Sequence, residues 1–458
     1  MRVGRGTVLS AAAVLGMSVA VAACGGGGDD NGGGGANNGG GGGSINVAIV
    51  DNPQMNDIAK LTPSLFTAKT GIKVNYTVLD EGTLRQVTTR DVAAGGRQFD
   101  VVMIGPYEAP QFGQDGTIMD LTSMARADKA YDFNDLIPTV RNALSANGKM
   151  YASPFYGESS FLMYRKDVLK AAGITMPPHP TWSQVASIAQ KINTPDRAGI
   201  CLRGLPGWGD LGATLTTVLN TFGATWWSAN PDGSVGAAQV NQPAFKQALQ
   251  FYVNLIKQAG EKNAANSSFN ECLTNYLDGK VAMWYDATVG ASSLEASNSP
   301  VKGKNGYVAA PVDLTKESGW LWSWALAIPK TTSNADLAWK YISFATGKQY
   351  IKEAGTRVSG GWAAVPPGTR KSTYEIPQYK QAAGAFAAPT LSAITTAPID
   401  NPGTTKRPGF PGVQYVGIPQ FQDVGNQCTQ QFSGVIAGTT SIDSALSSCQ
   451  SVASQVGQ

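Results

Sequence analysis

The amino-acid sequence predicts an α/β protein of two lobes with a cleft between them. Three observations carry that reading. Strands alternate with helices in two separate blocks, extended segments join the blocks, and residues 45–458 are too many for one ordinary core.

The chain begins with a secretion-type segment. Arg2 and Arg5 give a short positive region, and an apolar stretch over residues 8–20 follows, interrupted only by small residues such as Ser10 and Gly16. It is too short to span a bilayer, which takes about 20 consecutive apolar residues, and it fits a cleaved signal. Val21-Ala22-Ala23-Cys24 resembles a bacterial lipobox, in which small residues admit the peptidase and the cysteine thiol carries diacylglycerol. The plainer reading makes Cys24 an ordinary thiol beyond the cleavage site. Residues 25–44 hold 13 of the 54 glycines and no apolar residue larger than Ala36. Such a stretch cannot bury enough surface to offset its ordering entropy. As a flexible coil it would reach about 25 Å, a spacer's length. The expectation is a signal peptide over residues 1–23 and a lipidated cysteine with a Gly-rich linker over 24–44.

In the first block, residues 45–50 and 100–104 are short apolar runs of buried-strand type. Residues 73–79 alternate, with Val74, Tyr76 and Val78 on one face. Helices over 57–70 and 82–94 separate these strands, so a largely parallel sheet is expected. In the second block, Pro243 opens a helix with Phe245, Leu249, Tyr252 and Ile256 on one face, and Gly260 closes it. Residues 281–284 are another buried strand. Asn334 precedes a helix bearing Leu337, Tyr341 and Phe344, ended by Gly347. Near the C-terminus, helices over 427–436 and 441–456 flank the short connection Gly438-Thr439-Thr440, which suits an antiparallel pair.

The composition excludes several functions. Removing Arg2 and Arg5 lowers the formal charge from +3 to +1, so nothing points to nucleic acid or an acidic partner. The only histidine is His179, no two cysteines form a C-x-x-C pair, and zinc spacing is absent. No metal or cofactor is expected. There is no G-x-x-x-x-G-K-[ST] loop, no H-E-x-x-H and no G-x-S-x-G. A pair of carboxylates of glycosidase type stays open, because 32 acidic residues offer many pairs. Beyond Cys24, the even set Cys201, Cys272, Cys428 and Cys449 reads as disulfides in an exported protein, with three pairings possible by counting. In the C-terminal hairpin, Cys428 and Cys449 lie at equal offsets from the turn. They therefore stand side by side, where a bridge can form.

Several loops carry the groups that a polyhydroxylated ligand needs: carboxylates, amides and guanidiniums for hydroxyls, and aromatic faces for C–H patches. They are residues 80–86 with Glu81 and Arg85, Tyr107 with Glu108, Tyr156 and Glu158, Trp208 with Asp210, Asp286, and the run Trp320-Leu321-Trp322-Ser323-Trp324. In open α/β sheets, ligands gather beyond the carboxyl ends of strands, where such loops lie. Each has a plain alternative. Arg85 on a helix is ordinarily a solvated charge, Trp284 and Trp339 are ordinarily core, and three tryptophans on one strand face make either a core layer or a platform.

Six stretches carry a resemblance. They are 99–110 (Phe-Asp-Val-Val-Met-Ile-Gly-Pro-Tyr-Glu-Ala-Pro), 154–167 (Pro-Phe-Tyr-Gly-Glu-Ser-Ser-Phe-Leu-Met-Tyr-Arg-Lys-Asp) and 201–209 (Cys-Leu-Arg-Gly-Leu-Pro-Gly-Trp-Gly). Residues 320–330 (Trp-Leu-Trp-Ser-Trp-Ala-Leu-Ala-Ile-Pro-Lys), 366–374 (Pro-Pro-Gly-Thr-Arg-Lys-Ser-Thr-Tyr) and 417–427 (Gly-Ile-Pro-Gln-Phe-Gln-Asp-Val-Gly-Asn-Gln) complete the set. With them the chain resembles the family 1 extracellular solute-binding proteins, the maltose-binding-like group, and their sorbitol/mannitol branch. Two features depart from that pattern: the lipobox with its long tether, and Leu211 at a position where the branch suggests a polar residue.

The resemblance implies a periplasmic-binding-protein-like fold of two discontinuous α/β lobes joined by hinge strands, near residues 152–158 and 307–311. Lobe one would combine residues 45–152 with 311–360, and lobe two 153–310 with 361–458. It implies no enzymatic activity. A monomer would capture a polyol or sugar by hinge closure for the permease subunits of an ABC importer, outside the cytoplasm, held to the membrane by its lipid. Glu81, Arg85, Tyr107, Tyr156, Glu158, Trp208, Asp286, Trp322 and Trp324 would face the cleft. The family reading also places Cys201 with Cys272. A secreted glycan-active enzyme and a sensory protein that presents its ligand to a receptor are the alternatives.

Overall fold

The structure is a computed structural model that describes residues 42–407 and 409–456. The expected signal segment, Cys24 and most of the Gly-rich stretch lie outside the described residues.

One sheet has five strands, in the order Lys73–Leu79, Ser44–Val50, Val101–Ile104, Trp322–Ala327, Ser153–Glu158. The first three are parallel, and Trp322–Ala327 runs antiparallel to both its neighbours. Ile45, Val47, Ala48 and Ile49 are fully buried, as a central strand covered on both faces requires. On the edge strand the expected alternation holds only in part, since Val78 is 40% exposed. The first helix starts at Pro53, earlier than the apolar spacing suggests, because proline presets the first helical turn. It continues through a wider turn over Pro63–Thr67 to Thr70, where Gly71 takes a left-handed φ of 72°. The next helix, Glu81–Ala93, is capped by Asp80, whose carboxylate accepts from the Thr83 backbone N–H at 2.9 Å. That cap fixes Glu81 and Arg85 in the first turns beyond a strand's carboxyl end.

A second sheet joins Met283–Ala287, Ser160–Arg165 and Asn305–Ala309, all antiparallel. The expected strand at 281–284 falls two residues later, since Val281 instead makes a parallel bridge with Ala198. Helix Pro243–Ala259 and helix Leu211–Thr221 pack on this side, and every residue of the latter is buried. Phe245, Leu249, Tyr252 and Ile256 are all buried, as their spacing predicts. In helix Ala335–Ala345 the buried set is Ala338, Trp339, Tyr341, Ile342 and Ala345, with Leu337 and Phe344 only half-buried.

The chain passes between the sheets at Ser159, directly after Ser153–Glu158, and again between Ala309 and Trp322. A further segment runs beside the first crossing, where Gly157 N–H donates to Pro367 C=O at 2.8 Å. There a Cβ on Gly157 would lie 2.5 Å from the Gly368 carbonyl oxygen, and Gly368 has a φ of +74°, so both positions require glycine. The C-terminal helices Phe421–Ala437 and Ile442–Ala453 form the expected hairpin around Gly438, whose φ is 79°. The structure joins Cys428 to Cys449 with a Cα separation of 4.9 Å, and Cys201 to Cys272 at 5.7 Å.

Candidate ligand-binding site

Loops from both sheets converge on one narrow cavity of ≈ 30 Å³. On the first-sheet side, Asn52 follows the central strand, Glu81 and Arg85 rise from the capped helix, and Tyr156 and Glu158 end the strand that leads to Ser159. Trp320, Trp322 and Trp324 add an aromatic wall. From the second-sheet side come Arg203, Trp208, Gly209 and Phe269, with Gln414 from the C-terminal segment.

Arg85 is not a solvated charge; it is 5% exposed. Its Nε and Nη2 donate to Glu81 Oε1 at 3.2 and 2.7 Å, and its Nη1 donates to Glu108 at 2.5 Å. Three indole rings surround the guanidinium, with Trp208, Trp322 and Trp324 centroids 4.1, 4.6 and 4.7 Å from Cζ. Trp322 lies flat over Gly105, where a Cβ would meet the ring at 2.1 Å. The tryptophan run is thus both packed and cavity-facing. Trp284 and Trp339 are core, as their plain reading had it.

The second guanidinium, Arg203, donates through Nε and Nη2 to Asp286 at 2.9 and 2.6 Å and through Nη1 to Gly209 C=O at 2.9 Å. Its Nη1 also stands 3.7 Å from Glu81, so charge pairing reaches from one wall to the other. Gly209 abuts that opposite wall, since a Cβ there would lie 2.2 Å from Glu81 Oε1 and 2.8 Å from Arg85 Nε. Burial first, then the charge of Glu81, raises the Asp210 carboxyl to about 7, although it accepts a short hydrogen bond from Ser268. Burial also pushes Glu158 well above the carboxylate range, opposed by Arg203 and reinforced by Asp286 and Glu81.

Four polar atoms on this lining are buried and have no protein partner: Glu158 Oε2, Trp208 Nε1, Trp320 Nε1 and Gln414 Oε1. Buried polar groups are normally satisfied, so two unpartnered donors and two unpartnered acceptors on the residues of one cavity suit a ligand that both gives and takes hydrogen bonds.

Of the nine residues expected at the cleft, seven line the cavity: Glu81, Arg85, Tyr156, Glu158, Trp208, Trp322 and Trp324. Two do not. Asp286 sits behind the wall, fully buried, where it also accepts from Trp284 Nε1 and Ala287 N–H. Tyr107 packs its ring on Trp208 at 4.7 Å, donates its hydroxyl to the Ile418 and Pro419 carbonyls, and accepts from Gln422 N–H. It ties the first-sheet side to the C-terminal segment. The sequence reading missed Asn52, Arg203 and Gln414. Asn52 follows a strand as Glu81 does, and the same rule applied there would have found it. Gln414 lies in irregular backbone without a local signal.

Residues 48–352 match the bacterial extracellular solute-binding protein family. The chain belongs to that family. As an extracellular solute-binding protein it acts outside the cytoplasm, and binding rather than glycan cleavage is the family's function. It is 39% identical to a mannitol-binding protein of Pseudomonas aeruginosa, over 89% of this chain and 91% of the relative. A crystal structure of an ABC transporter solute-binding protein from Agrobacterium vitis, with bound D-mannitol, superposes with a TM-score of 0.85 at 42% identity. The match covers 90% of this chain and 97% of that one. A ribitol complex from Agrobacterium radiobacter, at 23% identity and a TM-score of 0.77 over 90% and 98% of the two chains, shares the fold. The fold of this solute-binding protein is accordingly periplasmic-binding-protein-like.

Proposed function

We propose that this protein captures an acyclic polyol, of which D-mannitol is the type, and delivers it to an ABC importer. The observation that carries the reading is the set of four unpartnered polar atoms on residues that line an aromatic-walled cavity. A hexitol offers hydroxyls that donate to Glu158 and Gln414 and accept from the two indole N–H groups, and its C–H edges fit the tryptophan wall. The mannitol-binding relative and the mannitol complex support the same choice.

In this reading Glu81, Arg85, Tyr156, Glu158, Trp208, Trp322 and Trp324 contact the ligand, joined by Asn52, Arg203 and Gln414. Asp286 and Tyr107 act as positioning residues. The lobes are the expected residues 45–152 with 311–360 and 153–310 with 361–458, with the first boundary moved past Glu158 because Ser153–Glu158 is a strand of the first sheet. They close around the ligand, and the importer recognises the closed monomer. Cys24, lipidated, holds the protein at the membrane through the Gly-rich linker. Isothermal calorimetry against D-mannitol, sorbitol, arabitol and ribitol, with glucose and maltose beside them, tests the reading. Stoichiometric binding of a polyol with unchanged ligand recovered is expected. Binding of the sugars alone, or a cleaved product, would overturn it.

A further inference from the structure

The charges around the cavity do not balance. Five carboxyl groups, of Glu81, Glu108, Glu158, Asp210 and Asp286, surround the two guanidiniums of Arg85 and Arg203. No lysine or histidine is on the lining among the described residues. Every nitrogen of both guanidiniums already has a protein acceptor: Glu81 and Glu108 for Arg85, Asp286 and Gly209 C=O for Arg203. Their remaining N–H bonds can serve hydroxyl oxygens, but their charge is spent on the protein. Glu158 is 5% exposed, and its Oε2 has no partner. The charged groups acting on it are Arg203 and Arg85, opposed by Asp286 and Glu81.

We propose that Glu158 makes this site selective for charge: it takes uncharged polyol chains and rejects the same chains when one end is a carboxylate. The proposal rests on the polyol reading above. A hydroxyl donates to Glu158 Oε2 and completes it. A ligand carboxylate has no proton to give: opposite an ionised Glu158 it leaves that oxygen bare, opposite a protonated one it only accepts, and either way it adds a sixth acidic group where no cation is unpaired. In a water-excluded site such a charge is not compensated. Even with protons on Glu158 and Asp210, three carboxylates against two guanidiniums leave no positive excess.

Three ligands of one carbon skeleton decide it by calorimetry on the purified protein at pH 8: D-mannitol, D-mannonamide and D-mannonate. The amide and the acid share size and shape, so their affinity ratio reads the acid's charge together with the amide protons it lacks. Mannonate is expected to bind at least 100-fold more weakly than the amide, and Glu158→Gln is expected to cut that ratio at least tenfold. Mannonate within threefold of the amide overturns the proposal, as does an unchanged ratio in a folded Glu158→Gln protein. Should that variant not fold, the ratio in the parent protein decides alone. If D-mannitol and the other polyols all fail to bind, the polyol reading falls and this one with it. Equal binding of mannitol and mannonate removes only the charge selection.

Discussion

Asp286 grips Arg203 with both carboxylate oxygens, at 2.6 and 2.9 Å, from a position with no exposure of its own. The aspartate never reaches the cavity, yet it decides where the guanidinium stands. Removing one member of a buried ion pair leaves the other uncompensated, at a cost of about 3–5 kcal/mol. Asp286→Ala is therefore expected to lose about that much stability in urea unfolding and to bind ligand at least tenfold more weakly. Unchanged stability would show that Arg203 finds another acceptor.

Gly209 is expected to matter for the meeting of the two walls. Alanine there places its methyl group against Glu81 and Arg85, which are pinned by Glu108 and three indoles and cannot step aside. Gly209→Ala should weaken ligand binding at least tenfold in calorimetry, with little change in the urea midpoint of the ligand-free protein. Wild-type affinity would show that the ion pairs yield.

Asp210 gives a pH dependence of definite sign. Its carboxyl is raised from 3.8 to about 7 in the folded protein. The folded state therefore holds a proton that the unfolded chain has released, and the stability linked to it is full below about 4 and lost as pH rises toward about 7. Asp210→Asn removes this dependence. Relative to the parent, the variant should gain melting temperature progressively from pH 4 to 7 and hold the gain above. A constant difference across that range would refute the assignment.

The disulfides differ in the loops they close, with sequence separations of 21 and 71. Chain-entropy arguments assign about 3 kcal/mol to the first and about 4 kcal/mol to the second. Paired Cys→Ala variants in urea unfolding should rank in that order, and non-reducing peptide maps should contain Cys428–Cys449 and Cys201–Cys272 and no cross-linked alternative.

Lipid anchoring predicts that Cys24→Ser is released from the membrane with ligand affinity intact. Fractionation followed by calorimetry on the released protein checks both halves. A variant that stays in the membrane fraction would remove the anchor.

Much of this was legible because it is written locally. Period-two and period-3.6 patterns marked the strands and helices, and the equal offsets of Cys428 and Cys449 from Gly438 placed them side by side. Tyr156 and Glu158 stood out because they end a strand at the expected hinge, where ligands gather. Arg203 was missed because nothing near it in sequence announces Asp286, 83 residues away. Arg85 had an ordinary solvated reading, since the indoles that bury it come from residues 208, 322 and 324. The antiparallel second sheet was equally hidden, because strand direction depends on connections that a single apolar run does not encode.

Where Gly157 and Gly368 touch backbone to backbone, the strand leading to Ser159 is riveted to the segment that follows helix Lys348–Arg357. Any swing of one sheet against the other about Ser159 has to carry that segment along. In the proposed closure this braced crossing and the second one between Ala309 and Trp322 would turn together as a stiffened hinge. A methyl group at either glycine would prise the rivet apart without touching the cavity. In that closure the two glycines would bear on how the walls meet rather than on which ligand they meet around.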